Sequence, residues 1–272
     1  MFGIRQQNYN FDVRTHSNQY PTFEDFLNVQ SWDQLTEEAQ KFIAARSGYD
    51  PIYHASLKNS LKHSFPGVEN IKQNYSQSWQ DFFVLTMHNG SSGCFLELGA
   101  SNAEYMNNTL LLEQFGWHGI SIDFRAELAD EWARLRPNSD FRLCNALEVD
   151  FEDVLSGMPS QIDYLQVDLD STASLQALSR LPHHKHRFSL ITFETDLFDN
   201  NQQLQIDSRK YLEGLGYELL ISNVAVKNYA TNTWEPFEDW YVDPGAIDPD
   251  LIKKFKQTDD QLKLPHNIFV NL

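Results

Sequence analysis

The chain has 272 residues, 41% of them hydrophobic, and a formal net charge of -17 at pH 7. This length and apolar content suit one large α/β domain with an extension, and they exclude a fibrous or disordered protein. The excess of acids argues against a general nucleic-acid binder, because neutralising phosphates requires clustered Lys and Arg. No apolar run approaches the roughly 20 residues of a membrane span. The first residues also lack the apolar segment of a secretory signal, so we expect a cytoplasmic protein that contacts no membrane and keeps Cys94 and Cys144 reduced.

Two helices are predicted ahead of the first strand. Thr22 can cap the first helix, and Ser31 with Gln34 forms a capping box before a second helix that ends near Arg46. Residues 1–70 are therefore predicted to form a helical N-terminal extension. The sequence leaves its role open between a lid, a substrate wall and an oligomer contact, and it does not give the oligomeric state.

From Gln77 onward, short apolar strands alternate with amphipathic helical stretches. Helices are predicted after Asn102, Ala126, Phe151, Ser171 and Gln203. Strands are predicted at Cys94 to Gly99, Gly119 to Asp123, Phe141 to Cys144, Ile162 to Asp168, Ser189 to Glu194, Tyr217 to Ala225 and Glu238 to Val242.

This alternation predicts an α/β fold with a Rossmann-like, doubly wound and mostly parallel sheet of seven strands. The last two strands form a hairpin-like pair, so the last strand is antiparallel. We assign residues 71–245 to this domain and residues 246–272 to a C-terminal tail.

The segment from Cys94 to Phe124 places a strand, a tight turn, a helix and a second strand in the order that a nucleotide-type cofactor site requires. Gly99 allows the sharp turn, and Asp123 ends the second strand, where a carboxylate can accept both hydroxyls of a ribose. Ser101 stands where a dinucleotide fingerprint has its second glycine. Glu97 and the missing glycines oppose a pyrophosphate ligand, which is itself an anion.

We therefore predict a site for S-adenosylmethionine, whose ammonium and sulfonium suit an acidic surrounding. A strand, turn and helix without any ligand is the alternative.

Polar residues follow five successive strands, and the carboxyl ends of parallel strands share one edge of a sheet. They are Glu97, Asp123, Asn145, Asp168 with Asp170, and Glu194 with Asp196. Asn145 and Ala146 are expected to meet the adenine. Asp168 and Glu194 are the predicted catalytic residues.

Three roles for Asp168 stay open: a general base on a hydroxyl, a charge that holds the sulfonium, or a ligand of a divalent cation together with Glu194. The plainer alternative is that both acids cap the helices that follow them.

A family resemblance is carried by the segments Tyr75 to Val84, Phe95 to Phe124, Ile162 to Leu178 with Arg187 to Asp196, and Phe237 to Val242. In these segments the chain resembles the FkbM-type methyltransferases, a branch of the class I S-adenosylmethionine enzymes. The resemblance implies O-methylation of a sugar, glycan or small natural-product hydroxyl. It also implies cofactor contacts by Glu97, Gly99, Ser101, Asn102 and Asp123.

Two departures from the family pattern bear on catalysis. The family commonly has Asp-x-Glu-Gly after the fourth strand, where this chain has Asp168, Leu169, Asp170 and Ser171. It often has Glu-His after the fifth, where Glu194 precedes a threonine. A cofactor-binding homologue without turnover is therefore the first alternative. A nicotinamide-dependent oxidoreductase is the second.

Overall fold

The computed structural model describes residues 61–71, 74–195, 197–199, 202–228 and 233–271. The helices predicted after Thr22 and Ser31 lie outside these residues, as does nearly all of the predicted N-terminal extension. Its described end, from Leu61 onward, contains one turn of 3-10 helix at Val68–Asn70.

Seven strands form one mixed sheet. They are β1 Cys94–Leu98, β2 His118–Asp123, β3 Asp140–Leu143, β4 Gln161–Val167, β5 Arg187–Glu194, β6 Glu218–Asn228 and β7 Thr233–Val242. Their order across the sheet is β3-β2-β1-β4-β5-β7-β6. Strands β1 to β5 pair in parallel, whereas β7 is antiparallel to both of its neighbours, β5 and β6. The predicted Rossmann-like sheet with an antiparallel last strand is confirmed.

The helices of the described residues are α1 Gln80–Met87, α2 Leu110–Gln114, α3 Ala129–Leu135, α4 Phe151–Val154, α5 Ala173–Arg180, α6 Gln202–Gly214, α7 Pro249–Phe255 and α8 Pro265–Phe269. The helices predicted after Ala126, Phe151, Ser171 and Gln203 correspond to α3, α4, α5 and α6. Within this described part of the chain, none of the helices combines the length and apolar character needed to cross a bilayer.

The helix predicted directly after Asn102 is wrong, because α2 begins only at Leu110. Ser101 and Met106 both have positive φ, which is incompatible with a continuing right-handed helix. The Asn107 side chain accepts hydrogen bonds from the backbone N–H groups of Thr109 (2.9 Å) and Leu110 (2.8 Å). These bonds satisfy the first N–H groups of α2, so the helix begins after Asn107.

The sheet is buried on both faces, because alternate side chains of each strand point to opposite sides. Phe95 of β1 and Tyr164 of β4 belong to one apolar cluster, and Leu96 and Leu165, one residue later on each strand, belong to the other. Because both faces of the sheet are covered, every residue of β1 is buried.

The C-terminal residues pack back onto the sheet. Phe269 of α8 lies with its ring centroid 6.1 Å from that of Trp79 and 5.3 Å from that of Phe82. Val270 is 2% exposed and forms an isolated antiparallel bridge with Leu61. Much of the segment assigned to a tail thus completes one face of the core.

Candidate functional site

A cavity of about 970 Å³ opens at the carboxyl ends of the parallel strands. This volume falls at the upper end of the range typical of small-molecule sites. Predicted site residues that line it are Gly99, Ser101, Asp123, Asn145, Ala146, Asp168, Asp170 and Glu194. The sheet topology brings these residues together, because each ends a strand or follows one within three residues. Asp196, also predicted at this edge, lies outside the described residues.

Gly99 brings the ends of β1 and β4 into direct contact. Its φ is +85°, and a Cβ added to it would lie 1.7 Å from the carbonyl oxygen of Asp168. The Asp168 N–H donates to the carbonyl of Leu98 at 3.0 Å. Only glycine fits this position, because both the backbone conformation and the missing side chain are required.

Asp123 is held by four hydrogen bonds. Its Oδ2 accepts the Ser101 N–H (2.9 Å) and Arg125 Nη2 (2.7 Å), and its Oδ1 accepts the N–H (3.0 Å) and Nε (2.9 Å) of Arg125. Burial raises the pKa of Asp123, but the bonds from Arg125 and from the Ser101 amide outweigh it, so the pKa lies below its ordinary value. The carboxylate is therefore charged and already oriented.

Asp168 and Glu194 both line the cavity, and their carboxyl groups interact. Burial raises the pKa of Asp168 above its ordinary value; the interaction with Glu194 acts in the opposite direction, and the charge of Asp170 adds to the rise. Two neighbouring carboxyl groups disfavour double ionisation, so the pair favours one shared proton and keeps a basic oxygen.

Glu238 is a further buried carboxyl, next to Glu194, for which no role is predicted from the sequence. It pairs with Glu194 across β5 and β7, is fully buried, and accepts Gln80 Nε2 (2.9 Å) and Trp240 Nε1 (2.6 Å). Burial raises its pKa to about 8. It could not have been found from strand ends, because it lies inside β7.

Asn145 and Ala146 follow β3 and line the cavity beside Asp123. The Asn145 side chain accepts the Leu147 N–H at 3.0 Å and donates to Glu148 at 3.1 Å. These bonds fix the turn, while Ala146, 4% exposed, presents a small apolar surface.

The other two predicted cofactor residues, Glu97 and Asn102, are not on the cavity wall formed by the described residues. Glu97 is 1% exposed and accepts hydrogen bonds from Ser121 Oγ (2.6 Å) and Thr109 Oγ1 (2.9 Å). Burial raises its pKa to about 7. Asn102 donates through Nδ2 to Glu131 at 3.1 Å. Both side chains support the loop from behind rather than facing the cavity.

Several lining residues were missed by the sequence analysis. Arg125 follows Asp123 by two positions, and Phe124 between them is 64% exposed although it is a large apolar residue. The far wall comes from the β6–β7 hairpin and the turn after β5; its residues are Val226, Lys227, Asn228, Glu235, Phe237 and Phe198. The phenylalanine beside the acid that ends β2 was a signal in the sequence for this part of the cavity wall. The residues of the hairpin gave no such signal, because they reach the cavity only through the tertiary fold.

The divalent cation that the sequence left open finds no ligand set in the described residues. Across the ranges that the structure describes, no group of three or more His, Cys, Asp or Glu side chains is arranged to hold a metal ion. Asp168 and Glu194 supply only two neighbouring carboxyls.

No family model matches this chain, and no curated protein does. Among solved structures it resembles an O-methyltransferase from Bacillus cereus in complex with S-adenosylhomocysteine, with 16% identity, a TM-score of 0.43 and coverage of 62% of this chain and 82% of that one. It also resembles Aeropyrum pernix fibrillarin with bound S-adenosylmethionine, with 15% identity, a TM-score of 0.37 and coverage of 56% of this chain and 67% of that one.

A third similar structure is the Burkholderia thailandensis 1,6-didemethyltoxoflavin-N1-methyltransferase with S-adenosylhomocysteine. Its identity is 14%, the TM-score is 0.39, and the match covers 60% of this chain and 76% of that one. At these identities and TM-scores the likeness carries no argument about function. The FkbM-type assignment stays a prediction.

Proposed function

We propose that this chain is an S-adenosylmethionine-dependent methyltransferase that methylates a hydroxyl of a sugar, a glycan or a small natural product. The observation that carries the proposal is the single cavity wall in which the Gly99 turn, the Asp123 carboxylate and the Asp168–Glu194 pair meet at the ends of neighbouring strands. Ligands of open α/β sheets bind at this edge.

The charges of the cavity suit a cationic cofactor. Among the described residues, five acids line it, Asp123, Asp168, Asp170, Glu194 and Glu235, against the two bases Arg125 and Lys227. Arg125 is already paired with Asp123 at 2.7 Å. The remaining excess of acids favours a ligand with an ammonium and a sulfonium, and it opposes the two phosphates of a nicotinamide dinucleotide.

Asp123 would hold the ribose. Both side-chain bonds to its carboxylate come from Arg125, whose side chain is 33% exposed. Ribose hydroxyls can take over these two positions, while the backbone bonds from Ser101 and Arg125 keep the carboxylate in place. Asn145 and Ala146 lie on the adjoining wall, where we expect the adenine.

The Asp168–Glu194 pair would take the proton of the acceptor. The bound cofactor supplies the methyl group, and transfer to oxygen is helped by partial removal of the hydroxyl proton. A carboxyl pair that shares one proton still offers a basic oxygen. The contact of Asp168 with the Gly99 turn supports this role, because the turn borders the proposed cofactor site.

The hairpin end of the cavity fits a polar, uncharged acceptor. Glu235 Oε1 accepts both Asn228 Nδ2 and Thr233 Oγ1 at 3.1 Å, which orients the carboxylate. The Phe198 and Phe237 rings line the same cavity, with their centroids 6.4 Å apart. A carboxylate next to aromatic rings suits hydroxyl groups on an apolar ring face, and the acidic wall opposes phosphorylated or nucleic-acid acceptors.

Calorimetric titration with S-adenosylmethionine, S-adenosylhomocysteine and NAD tests the cofactor assignment. We expect micromolar binding of S-adenosylmethionine, on the order of 8 kcal/mol, and no binding of NAD. Asp123→Ala should weaken binding severely. Arg125→Gln is the matched control: it breaks the same ion pair but keeps the ribose acceptor, and it should retain binding.

Unchanged affinity in a folded Asp123→Ala variant would place the cofactor elsewhere. Equal loss in both variants would mean that the ion pair, rather than the ribose acceptor, sustains the site. Transfer of a labelled methyl group to a panel of neutral glycosides, with RNA as the comparison, then tests the acceptor class.

A further inference from the structure

The loop between β1 and α2 forms one side of the cavity although it has no regular secondary structure. Gly99, Ser101 and Met106 line the cavity and have φ values of 85°, 53° and 53°. Non-glycine residues persist in this backbone region only where the surrounding structure enforces it. The loop therefore depends on contacts behind it.

Four consecutive carbonyl groups of this loop accept hydrogen bonds from side chains on the side away from the cavity. The bonds run from Asn107 Nδ2 to Ala100 (3.2 Å) and Asn102 (3.1 Å), from Trp132 Nε1 to Ser101 (2.8 Å), and from Arg136 Nη1 to Ala103 (3.4 Å). With these carbonyls fixed outward, the Ser101 N–H is directed at Asp123.

Arg136 joins the parts of this support. Its side chain is 1% exposed, pairs with Glu113 of α2 at 2.7 Å, and lies 4.2 Å from the centroid of the Trp132 ring. The same guanidinium donates to Asn107 Oδ1 (2.9 Å) and Thr109 Oγ1 (3.0 Å). One planar fork thus ties the loop to α2 and α3, a set of bonds that a lysine ammonium cannot reproduce.

We propose that Arg136 is a positioning residue for the cofactor, acting through the loop of residues 99–109. It does not line the cavity; it holds the loop so that the Ser101 amide orients Asp123 and the cavity wall keeps its shape. The proposal rests on the proposed function for the identity of the ligand.

Arg187 provides a matched control. It makes the same three kinds of contact: an ion pair with Asp243 (3.0 Å), a bond to the Leu215 carbonyl (2.7 Å) and a place over the Tyr217 ring (4.3 Å). It begins β5, at the sheet edge opposite the cavity. Arg187→Lys therefore removes the same kinds of contact, at a side chain that is 36% exposed, without touching the loop.

The test compares S-adenosylhomocysteine binding by calorimetry in wild type, Arg136→Lys and Arg187→Lys, with amide hydrogen exchange of the ligand-free proteins. Arg136→Lys should raise the Kd roughly tenfold or more, and Arg187→Lys should stay within about twofold. Exchange of residues 100–110 should accelerate only in Arg136→Lys.

If Arg136→Lys fails to fold, Trp132→Phe takes its place, because it deletes the bond to the Ser101 carbonyl and keeps an aromatic ring under Arg136. It should raise the Kd about threefold or more. Equal Kd values in the test variant and Arg187→Lys, or exchange that accelerates uniformly over the sheet, would overturn the proposal. If wild type binds no S-adenosylhomocysteine, the proposed function fails, and the exchange pattern alone decides whether Arg136 holds the loop.

Discussion

Replacing Glu97 by Gln should change how the stability of this protein depends on pH. Burial raises the pKa of Glu97 from 4.5 to about 7, although the charge of Arg136 opposes the rise. In the unfolded chain the carboxyl returns to its ordinary pKa, so between these values the unfolded state releases a proton that the folded state retains. Folding stability contributed by this residue is therefore intact below pH 4.5 and is lost as pH rises through 7.

The rise of the Glu97 pKa from 4.5 to about 7 corresponds to about 3 kcal/mol of unfolding free energy in total. Glu97→Gln cannot ionise, yet its side-chain oxygen can still accept the hydroxyls of Thr109 and Ser121. Urea unfolding from about pH 5 to about pH 8 should show the variant gaining about 2 kcal/mol relative to wild type.

The control is Glu104→Gln, an exposed acid in the loop that follows β1. Its unfolding free energy should follow that of wild type at every pH. Parallel curves for Glu97→Gln and wild type would refute the reasoning, because they would mean that the buried carboxyl keeps an ordinary pKa in the fold.

Three further predictions concern the turn, the acid pair and the C-terminal residues. Gly99→Ala should lower the unfolding free energy by about 3 kcal/mol or more, because its Cβ would collide with the Asp168 carbonyl. The control Gly157→Ala, whose Cβ would have nothing within 4 Å, should change the unfolding free energy by no more than about 0.5 kcal/mol. Equal urea midpoints for the two variants would contradict this prediction. Asp168→Asn should leave cofactor affinity within a few fold but reduce turnover roughly 10²-fold once an acceptor is known, and near-normal turnover in a kinetic assay would remove its catalytic role. Phe269→Ala should lower the unfolding free energy by about 3 to 5 kcal/mol in thermal or urea denaturation, since its ring is 1% exposed among aromatic neighbours; a smaller effect than 1 kcal/mol would show that α8 is dispensable.

The sheet and the edge that carries the cavity could be predicted because both follow from local patterns. Apolar runs bounded by turns mark the parallel strands, and the residue that ends each strand must lie at the shared carboxyl edge. Gly99, Asp123, Asp168 and Glu194 are therefore found together, as their positions in the sequence indicate.

What lies behind that edge could not be predicted. Glu97 is buried against Thr109 and Ser121, which come from other segments of the chain, so its pairing depends on packing. Arg136 also has no local signal, because its partners are spread over α2, α3 and the loop. The short helix α8 contains only five residues and leaves no periodic pattern to detect.

The position of Phe269 and Val270 has a consequence for biosynthesis. The aromatic face formed by Trp79, Phe82 and Trp240 is closed by Phe269, and Val270 bridges to Leu61. A chain leaves the ribosome from its N-terminal end, so this face stays open to water until residue 270 has emerged. The aromatic face is therefore covered only after the residues that form it have all been synthesised. A nascent chain that stops before Phe269 exposes this aromatic surface to chaperones and to other nascent chains.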